Sequence, residues 1–215
     1  MSVNDDRITA AGERAATAEA AVSPIADPAP LGLAAFALTT FLLSAANAGW
    51  MSKASGNAWL GYAFAYGGFC QLLAGMWEFR NKNVFGATAF ASYGGFWIGL
   101  GLWAQLVAPS VIGKPAFNHD LGWILLAFAI FNTYMLLMST QVTLAVFGVF
   151  LTLEITEIVL LVGGFLNQGF GHGATEVGGY IGIVTALVAW YTSAAGVANG
   201  LPGPIKLPVG RPLLA

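Results

Sequence analysis

Charge is what this sequence lacks. Only 8% of its 215 residues are Asp, Glu, Lys or Arg, whereas a soluble domain carries about 25%. Hydrophobic residues make up 57% of the chain, and the mean hydropathy is +0.73. Too few polar side chains are present to cover a water-facing surface, so we expect an integral membrane protein.

Several kinds of chemistry are missing as well. The single cysteine, Cys70, lies in an apolar run, which excludes a disulfide framework. No P-loop glycine motif supplies an ATP site, and no basic stripe suits nucleic acid. His119 and His172 lie far apart in the sequence, without Cys or acidic partners at metal-binding spacing. We therefore expect no enzyme activity, cofactor, metal site or nucleic-acid partner.

The charges that are present gather at the N-terminus, where residues 1–26 contain six of them among alanines. This stretch has no apolar core of the kind a signal peptide needs. We expect residues 1–26 to form a disordered cytoplasmic tail, residues 27–200 to form a helical transmembrane domain, and residues 201–215 to form a cytoplasmic C-terminal tail.

Six apolar stretches approach the ~20 residues that a spanning helix needs. They cover about residues 31–50, 57–78, 86–107, 121–140, 142–165 and 176–198. Only "STQVT" (139–143) separates the fourth from the fifth. A continuous helix from 121 to 165 would be about 67 Å long at ~1.5 Å per residue, roughly twice what a bilayer needs. We therefore predict an all-α protein of six transmembrane helices, with a tight turn at 139–143.

Two polar residues interrupt the second stretch, "YGGFCQLLAGMWEFR". Gln71 and Glu78 lie two turns apart on one helix face. Glu78 has two interpretations: an interfacial carboxylate paired with Arg80 or Lys82, or a polar residue of a functional path. Gln71 either bonds a neighbouring helix or belongs to the same path.

The fifth stretch, "LTLEITEIVLLVGG", places Glu154 and Glu157 three residues apart on one face. An acidic residue near the bilayer centre costs ~2.5–3.5 kcal/mol, so neither is expected to face lipid. Two adjacent carboxylates in low dielectric do not both ionise readily. The pair is either a buried structural pair or a proton-handling pair.

Small residues recur at helical spacing in two of the stretches. Gly95-x-x-x-Gly99 and Gly178-x-x-x-Gly182 fit close helix crossings. They predict tight packing and contacts between copies of the chain.

The stretch "DPAPLGL" (27–33) precedes the first apolar run. Proline fixes φ near the helical value and lacks only an N–H that a first turn leaves unpaired, and Asp27 can cap the helix. The whole stretch, with Asp27, Pro28, Pro30 and Gly32, resembles the Asn-Pro-Ala-Pro-Leu-Gly-Leu signature of the acetate uptake transporter family. "YGGFCQLLAGMWEFRNKNVFGATAFASYGGFW" (66–97) agrees with the family, and so does Asn199 followed by "LPVG" (207–210). The resemblance covers residues 27–210.

The resemblance implies a six-helix bundle like that of the hexameric urea channels, with one pathway through each protomer. It implies transport of small monocarboxylates, acetate above all, and in some members succinate. A hydrophobic constriction in that path would be formed by Phe36, Tyr93 and Leu153. Thr40, Asn47, Gln71 and Glu78 would be polar residues of the path.

The sequence departs from the family pattern at two places. Asp27 stands where the signature has asparagine, and the paired glutamates lie in a stretch that is otherwise apolar with threonines in the family. An ionised carboxylate in the path would repel acetate, unless the glutamates are protonated or acid and proton travel together. We therefore expect a proton-coupled homo-oligomeric carboxylate transporter or channel. The alternatives are a channel for urea, an amide or ammonium, and a membrane scaffold that transports nothing.

The Lys and Arg residues predict the orientation in the cell (inner or plasma) membrane. If the N-terminus is cytoplasmic, the inner side holds Arg7, Arg14, Arg80, Lys82, Lys206 and Arg211, and the outer side holds Lys53 and Lys114. We therefore predict both termini in the cytoplasm, with the loops at about 51–56, 108–120 and 166–175 outside.

Single cysteines at Ser55 and Lys114, in a Cys70→Ala background, should react with an impermeant thiol reagent in intact cells. Protection of both sites until the cells are opened would contradict this orientation.

Overall fold

The structure is a computed structural model that describes residues 25–51, 57–111 and 115–214, and every regular element in these ranges is a helix. The elements are α1 (Ala29–Asn47), α2 (Trp59–Phe64), a π-helical segment (Ala65–Cys70), α3 (Gln71–Arg80), α4 (Val84–Leu106), α5 (Ala108–Val111), α6 (Pro115–Ser139), α7 (Leu144–Phe165) and α8 (Gly173–Gly200). The segments α2, π and α3 follow one another without a break. The all-α prediction is therefore confirmed for the described residues.

Among the described residues, four helices are long and apolar enough to cross a membrane, namely α1, α6, α7 and α8. The continuous run from α2 to α3 and the helix α4 have similar lengths. Glu78 and Arg80 reduce the apolar character of the first, and the glycines and Tyr93 reduce that of the second. The chain is a multi-pass membrane protein.

The first helix begins at the proline-rich stretch, as the sequence predicts. Pro28 is the N-cap residue, and Pro30 occupies the second helical position. The Ala29 N–H donates to Asp27 Oδ1 over 2.9 Å, so the Asp27 carboxylate stabilises the helix start from one position outside the cap. Gly32 lies against the ring of Phe90 on α4, which lets the two helices approach closely at this point.

The predicted turn at 139–143 is also present. Helix α6 ends at Ser139 and α7 begins at Leu144. Thr143 caps α7, since its Oγ1 accepts a hydrogen bond from Val146 N–H at 3.2 Å. This cap compensates for the absence of glycine or proline at the turn.

The prediction of a loop over 108–120 was wrong. Residues 108–111 form α5, and α6 starts at Pro115, six residues before the predicted fourth span. Pro109 and Pro115 lie in the first turn of their helices, where the missing N–H costs nothing. His119, which the sequence placed in a loop, is therefore on α6, with its Nδ1 4.0 Å from Asp120 Oδ1.

Three sequence predictions lie outside the described residues: the N-terminal tail up to residue 24, the loop at 52–56 with Lys53, and Lys114. The C-terminal segment 201–214 is described and has no helix. It nevertheless lies against the bundle, since Ala145 N–H donates to Val209 O at 2.9 Å and Leu213 N–H to Thr140 O at 2.8 Å. Lys206 Nζ donates to Leu201 O at 2.7 Å and so satisfies a carbonyl just beyond the end of α8.

The helices follow one another around a central cluster of apolar side chains. The most extensive contacts join α1 to α8, and α8, α7 and α6 then pack in sequence. On the other side of α1 lie the π segment and α3, and α3 packs on α4. Contacts between α4 and α6 are sparse, so this is the widest gap in the ring of helices.

The two glycine pairs behave differently. A Cβ on Gly178 would strike Leu160 of α7, and a Cβ on Gly182 would strike Ser44 of α1, so this pair allows the close crossing that the sequence predicts. At Gly95 and Gly99, by contrast, a Cβ would meet nothing within 4 Å. Their face of α4 is therefore free within one copy of the chain.

Candidate functional site

The structure brings the three predicted constriction residues together. Phe36 on α1, Tyr93 on α4 and Leu153 on α7 are all buried and belong to one apolar cluster. The rings of Phe36 and Tyr93 meet edge to face with centroids 5.7 Å apart. Tyr93 also contacts Phe131 of α6, with centroids 5.5 Å apart. Four helices from different parts of the chain thus converge on one plug of large side chains.

A cavity of about 590 Å³ opens on one side of this plug, between the C-terminal ends of α1, α4 and α7 and the N-terminal ends of α2, α6 and α8. We call it the vestibule. Amide and hydroxyl groups supply its polar lining: Asn47, Asn57, Gln105, Asn118, Gln168 and Thr175. Among the described residues that line it, none has a charged side chain. The described part of the lining is therefore polar but uncharged.

The polar residues predicted on α1 are buried at different depths. Asn47 lines the vestibule, and its backbone carbonyl accepts Gly171 N–H at 2.9 Å. Thr40 lies two turns deeper and is buried, and its Oγ1 has no hydrogen-bond partner among the described residues. Of this pair, only Asn47 touches the vestibule.

Gln71 and Glu78 share the buried face of α3, as their spacing predicts. The interpretation of Glu78 as an interfacial partner of Arg80 or Lys82 was wrong, because Glu78 is fully buried and is in no ion pair among the described residues. Its carboxylate accepts a hydrogen bond from Asn81 Nδ2 at 3.2 Å. The side-chain oxygen of Gln71 has no partner in the described part of the chain.

Glu154 and Glu157 lie near each other but in different surroundings. Glu157 is buried, with 4% of its surface exposed, and its Oε1 lies 3.3 Å from Tyr93 Oη. Glu154 is half-buried and accepts a hydrogen bond from Thr133 Oγ1 at 2.7 Å. Thr133 is exposed on the outer face of α6. The two glutamates thus reach from the plug to the rim of the bundle.

Asn132 connects these groups, and the sequence reasoning missed it. It is completely buried on α6, donates from Nδ2 to Glu154 Oε2 at 2.7 Å and accepts from Tyr93 Oη at 2.9 Å. An amide in the middle of a spanning stretch is costly unless it is bonded. That cost was the signal in "AIFNTYML" that could have identified it.

Comparison with known proteins identifies the family of this chain. The model of the GPR1/FUN34/yaaH family matches residues 11–211. Acetate permease A of Emericella nidulans is 41% identical over 197 residues, which are 86% of this chain and 66% of that protein. The chain therefore spans about two thirds of the length of this fungal relative.

Two bacterial comparisons cover nearly all of the other protein. The succinate-acetate/proton symporter SatP of Escherichia coli is 35% identical over 189 residues, which are 87% of this chain and 96% of that one. The solved structure of the bacterial acetate channel SatP superposes with a TM-score of 0.77 at 30% identity, covering 86% of this chain and 99% of that one. The resemblance that the sequence motifs indicated is thus confirmed, and the chain belongs to the GPR1/FUN34/yaaH family.

Proposed function

We propose that the chain carries acetate and related small carboxylates, succinate among them, across the cell membrane together with a proton. The single observation that carries this proposal is the buried plug of Phe36, Tyr93 and Leu153 at the end of an uncharged vestibule. The names of the relatives, an acetate permease and a succinate-acetate/proton symporter, supply the solute class.

The shape and polarity of this path favour a small solute that crosses without a net charge. Moving an ion through hydrocarbon is the dominant cost of permeation, and the described residues that line the vestibule provide no fixed cation to offset it. A carboxylate that takes up a proton before the plug avoids that cost. Large aromatic side chains at the plug then limit the size of what passes.

The proposed arrangement in the membrane has six crossings with both termini in the cytoplasm. The α2–π–α3 run and α4 supply the two crossings beyond the four long apolar helices. Lys206 and the C-terminal segment then lie at the cytoplasmic end, and the vestibule opens to the outside. The excess of Lys and Arg on the inner side supports this orientation.

A second candidate is a channel for a neutral or cationic small solute such as urea, an amide or ammonium. The uncharged lining of the vestibule and the buried glutamates favour it, because carboxylates would assist a cation. A scaffold that transports nothing is the third possibility. Each predicts a different outcome in one transport experiment.

The function is tested by counterflow of labelled acetate into liposomes that contain the purified protein and are preloaded with unlabelled acetate. We expect acetate to accumulate transiently, and unlabelled succinate to compete. Urea, acetamide and ammonium are tested as competitors in parallel. Flux of labelled urea, acetamide or ammonium without acetate counterflow would support the second candidate, and no flux of any solute would support the scaffold.

The plug is expected to set selectivity. Phe36→Ala or Tyr93→Ala removes a large ring, so the ratio of lactate uptake to acetate uptake should rise about tenfold, as hydrophobic contacts of this size discriminate. Phe69→Ala and Tyr62→Ala are the matched controls, since both side chains are exposed on the outside of the bundle. If the ratio stays unchanged in well-expressed Phe36 and Tyr93 variants, both rings are ordinary packing residues.

We also propose that the protein self-associates, as a hexamer by family resemblance, through the outer face between α4 and α6. A groove of about 540 Å³ lies there, lined by Gly95, Gly99, Ile124, Phe128 and others. Lipid offers no hydrophobic drive for association, so membrane helices associate where small residues allow close approach. The open glycine pair provides such a place.

This interface gives a direct test. Gly95→Leu combined with Gly99→Leu should fill the groove and convert the oligomer to smaller species in detergent, measured by light scattering after gel filtration. Gly61→Leu is the control, because Gly61 is also an open glycine but lies outside the groove. An oligomer of unchanged mass in the double variant would rule out this face as the interface.

A further inference from the structure

Glu157 occupies the boundary between the vestibule and the plug. One turn of α7 toward the plug lies Leu153, and one turn the other way lies Leu160, which lines the vestibule. Its Oε1 is near Tyr93, whereas Oε2 is buried and has no hydrogen-bond partner among the described residues. Along α7 this carboxyl group therefore lies between a plug residue and a residue of the vestibule wall.

The orientation of Asn132 is fixed by its neighbours. Its Nδ2 lies 3.1 Å from the Phe150 carbonyl and 2.7 Å from Glu154 Oε2. A carbonyl accepts and does not donate, so the NH₂ group must face this way, and both of its hydrogens are used. Asn132 Oδ1 then needs a donor, and Tyr93 Oη at 2.9 Å is the donor that the structure provides.

Tyr93 has a single hydrogen to give. With that hydrogen donated to Asn132, the 3.3 Å contact between Tyr93 Oη and Glu157 Oε1 is a hydrogen bond only if Glu157 carries the hydrogen. In the opposite assignment Tyr93 donates to an ionised Glu157. That assignment leaves Asn132 Oδ1 unpaired and buries a charge whose second oxygen is unsatisfied, which is the costlier outcome. The geometry therefore favours a neutral Glu157.

Glu154 is the member of the pair that is placed to hold the negative charge. Its Oε2 accepts a hydrogen bond from Asn132 Nδ2, and a hydrogen bond of this kind stabilises a carboxylate. Its Oε1 lies 2.7 Å from Thr133 Oγ1, whose single hydrogen is shared with the Ala129 carbonyl at 2.8 Å. A charge on Glu154 in turn disfavours a second charge on Glu157. The hydrogen-bond geometry thus assigns a proton of this pair to Glu157, the inner carboxyl group.

Few other titratable groups face Glu157. On its own helix there is Glu154, and α4 contributes Tyr93. From α6, Tyr134 lies beyond Tyr93, and His119 and Asp120 are near the outer end. Helix α1 has no titratable group. On α8, Tyr180 packs on Trp50, and the Tyr191 hydroxyl donates to the Pro208 carbonyl. Glu176 is in the first turn of α8. Glu157 has no basic partner among the ion pairs of the described residues.

We propose that Glu157 is a solute-contacting residue that lends its proton to the carboxylate of the solute on the vestibule side of the plug. This proposal rests on the proposed function. Glu157 carries a proton and the solute arrives as an anion; the proton moves from a Glu157 oxygen to a solute oxygen. The solute then crosses as the neutral acid, and Glu157 is left as a carboxylate. A proton from water on the vestibule side restores it, and the solute releases its own proton on the far side.

The two oxygens of Glu157 suit this exchange. A carboxylic acid can carry its hydrogen on either oxygen. On Oε1 the hydrogen bonds to Tyr93. On Oε2, which is buried and has no hydrogen-bond partner among the described residues, it is available to a solute once side chains of the plug move aside. Tyr93 keeps a partner in both cases, because Asn132 Oδ1 accepts its hydrogen throughout.

The test is labelled acetate exchange in liposomes that contain the full-length protein, with equal pH inside and outside, between about pH 5 and pH 8. Rates are corrected for liposomes without protein. In the wild type, at a fixed total concentration of acetate, the exchange rate should be independent of pH up to the pH at which Glu157 loses its proton. We call this range the level region. In Glu157→Gln no proton can be lent, so exchange should follow the concentration of neutral acetic acid and fall about tenfold per pH unit.

Two further variants serve as matched controls. Glu157→Asp keeps a carboxyl group and should keep the level region. Glu154→Gln removes the neighbouring charge, so Glu157 should lose its proton more easily, and the end of the level region should move to lower pH.

Infrared difference spectra between low and high pH provide a readout that does not depend on transport. A carboxylic acid C=O band at neutral pH is expected in the wild type and in Glu154→Gln, and it should be missing in Glu157→Gln. Superimposable exchange profiles for the wild type and Glu157→Gln, or the same acid band in both, would overturn the assignment of Glu157. Failure of the wild type to exchange acetate at all would instead overturn the proposed function.

Discussion

Close backbone packing between α1 and α8 is the contact on which the rest of the bundle depends. Apolar side chains gain nothing by leaving lipid for protein, so these helices need small residues and polar bonds to associate. Gly179 lies directly against the backbone of Asn47 and Ala48. At the proline-rich start of α1, Ser193 Oγ of α8 donates a hydrogen bond to Pro30 O at 2.6 Å. This bond joins the two helices at that end. The packing of α1 on α8 places Phe36 on one side of the central apolar cluster. Helix α7 contributes Leu153 and Glu157 from the other side.

The polar residues at the centre are tolerated because they satisfy one another. Asn132, Tyr93 and Glu154 use every side-chain hydrogen they hold in bonds that the structure records. Such a network costs little when it is complete and much when one member is lost. The buried Oε2 of Glu157 and the buried oxygens of Thr40 and Gln71 stand apart from it, since none has a partner among the described residues. These three unsatisfied oxygens lie on the buried faces of α1, α3 and α7, and only a donor that is not part of the described chain could satisfy them.

Much of the fold could be predicted because hydropathy and length are local properties. The turn at 139–143 followed from helix length alone, and the start of α1 from two prolines and Asp27. The start of α6 was misjudged because Pro115 begins a helix, whereas the sequence reasoning assigned residues 108–120 to a loop. The different roles of Gly95 and Gly182 could not be predicted, since the same spacing occurs in both pairs and only the neighbours distinguish them. Asn132 was overlooked because a lone amide carries no motif, and the separate surroundings of Glu154 and Glu157 depend on how α7 is rotated in the bundle.

The gap between α4 and α6 differs from the other helix contacts in what fills it. Aromatic rings hold these two helices apart: Phe96 and Phe128 lie with centroids 4.6 Å apart, and Tyr93 and Phe128 with centroids 5.8 Å apart. Where glycines touch, the spacing is fixed by backbone and changes only if a whole helix moves. Where rings touch, the spacing at the centre is also set by side-chain torsion angles. The width of the proposed path beside Tyr93 can therefore change by rotation about χ1 and χ2, while the helices and the glycine contacts that position them stay where they are.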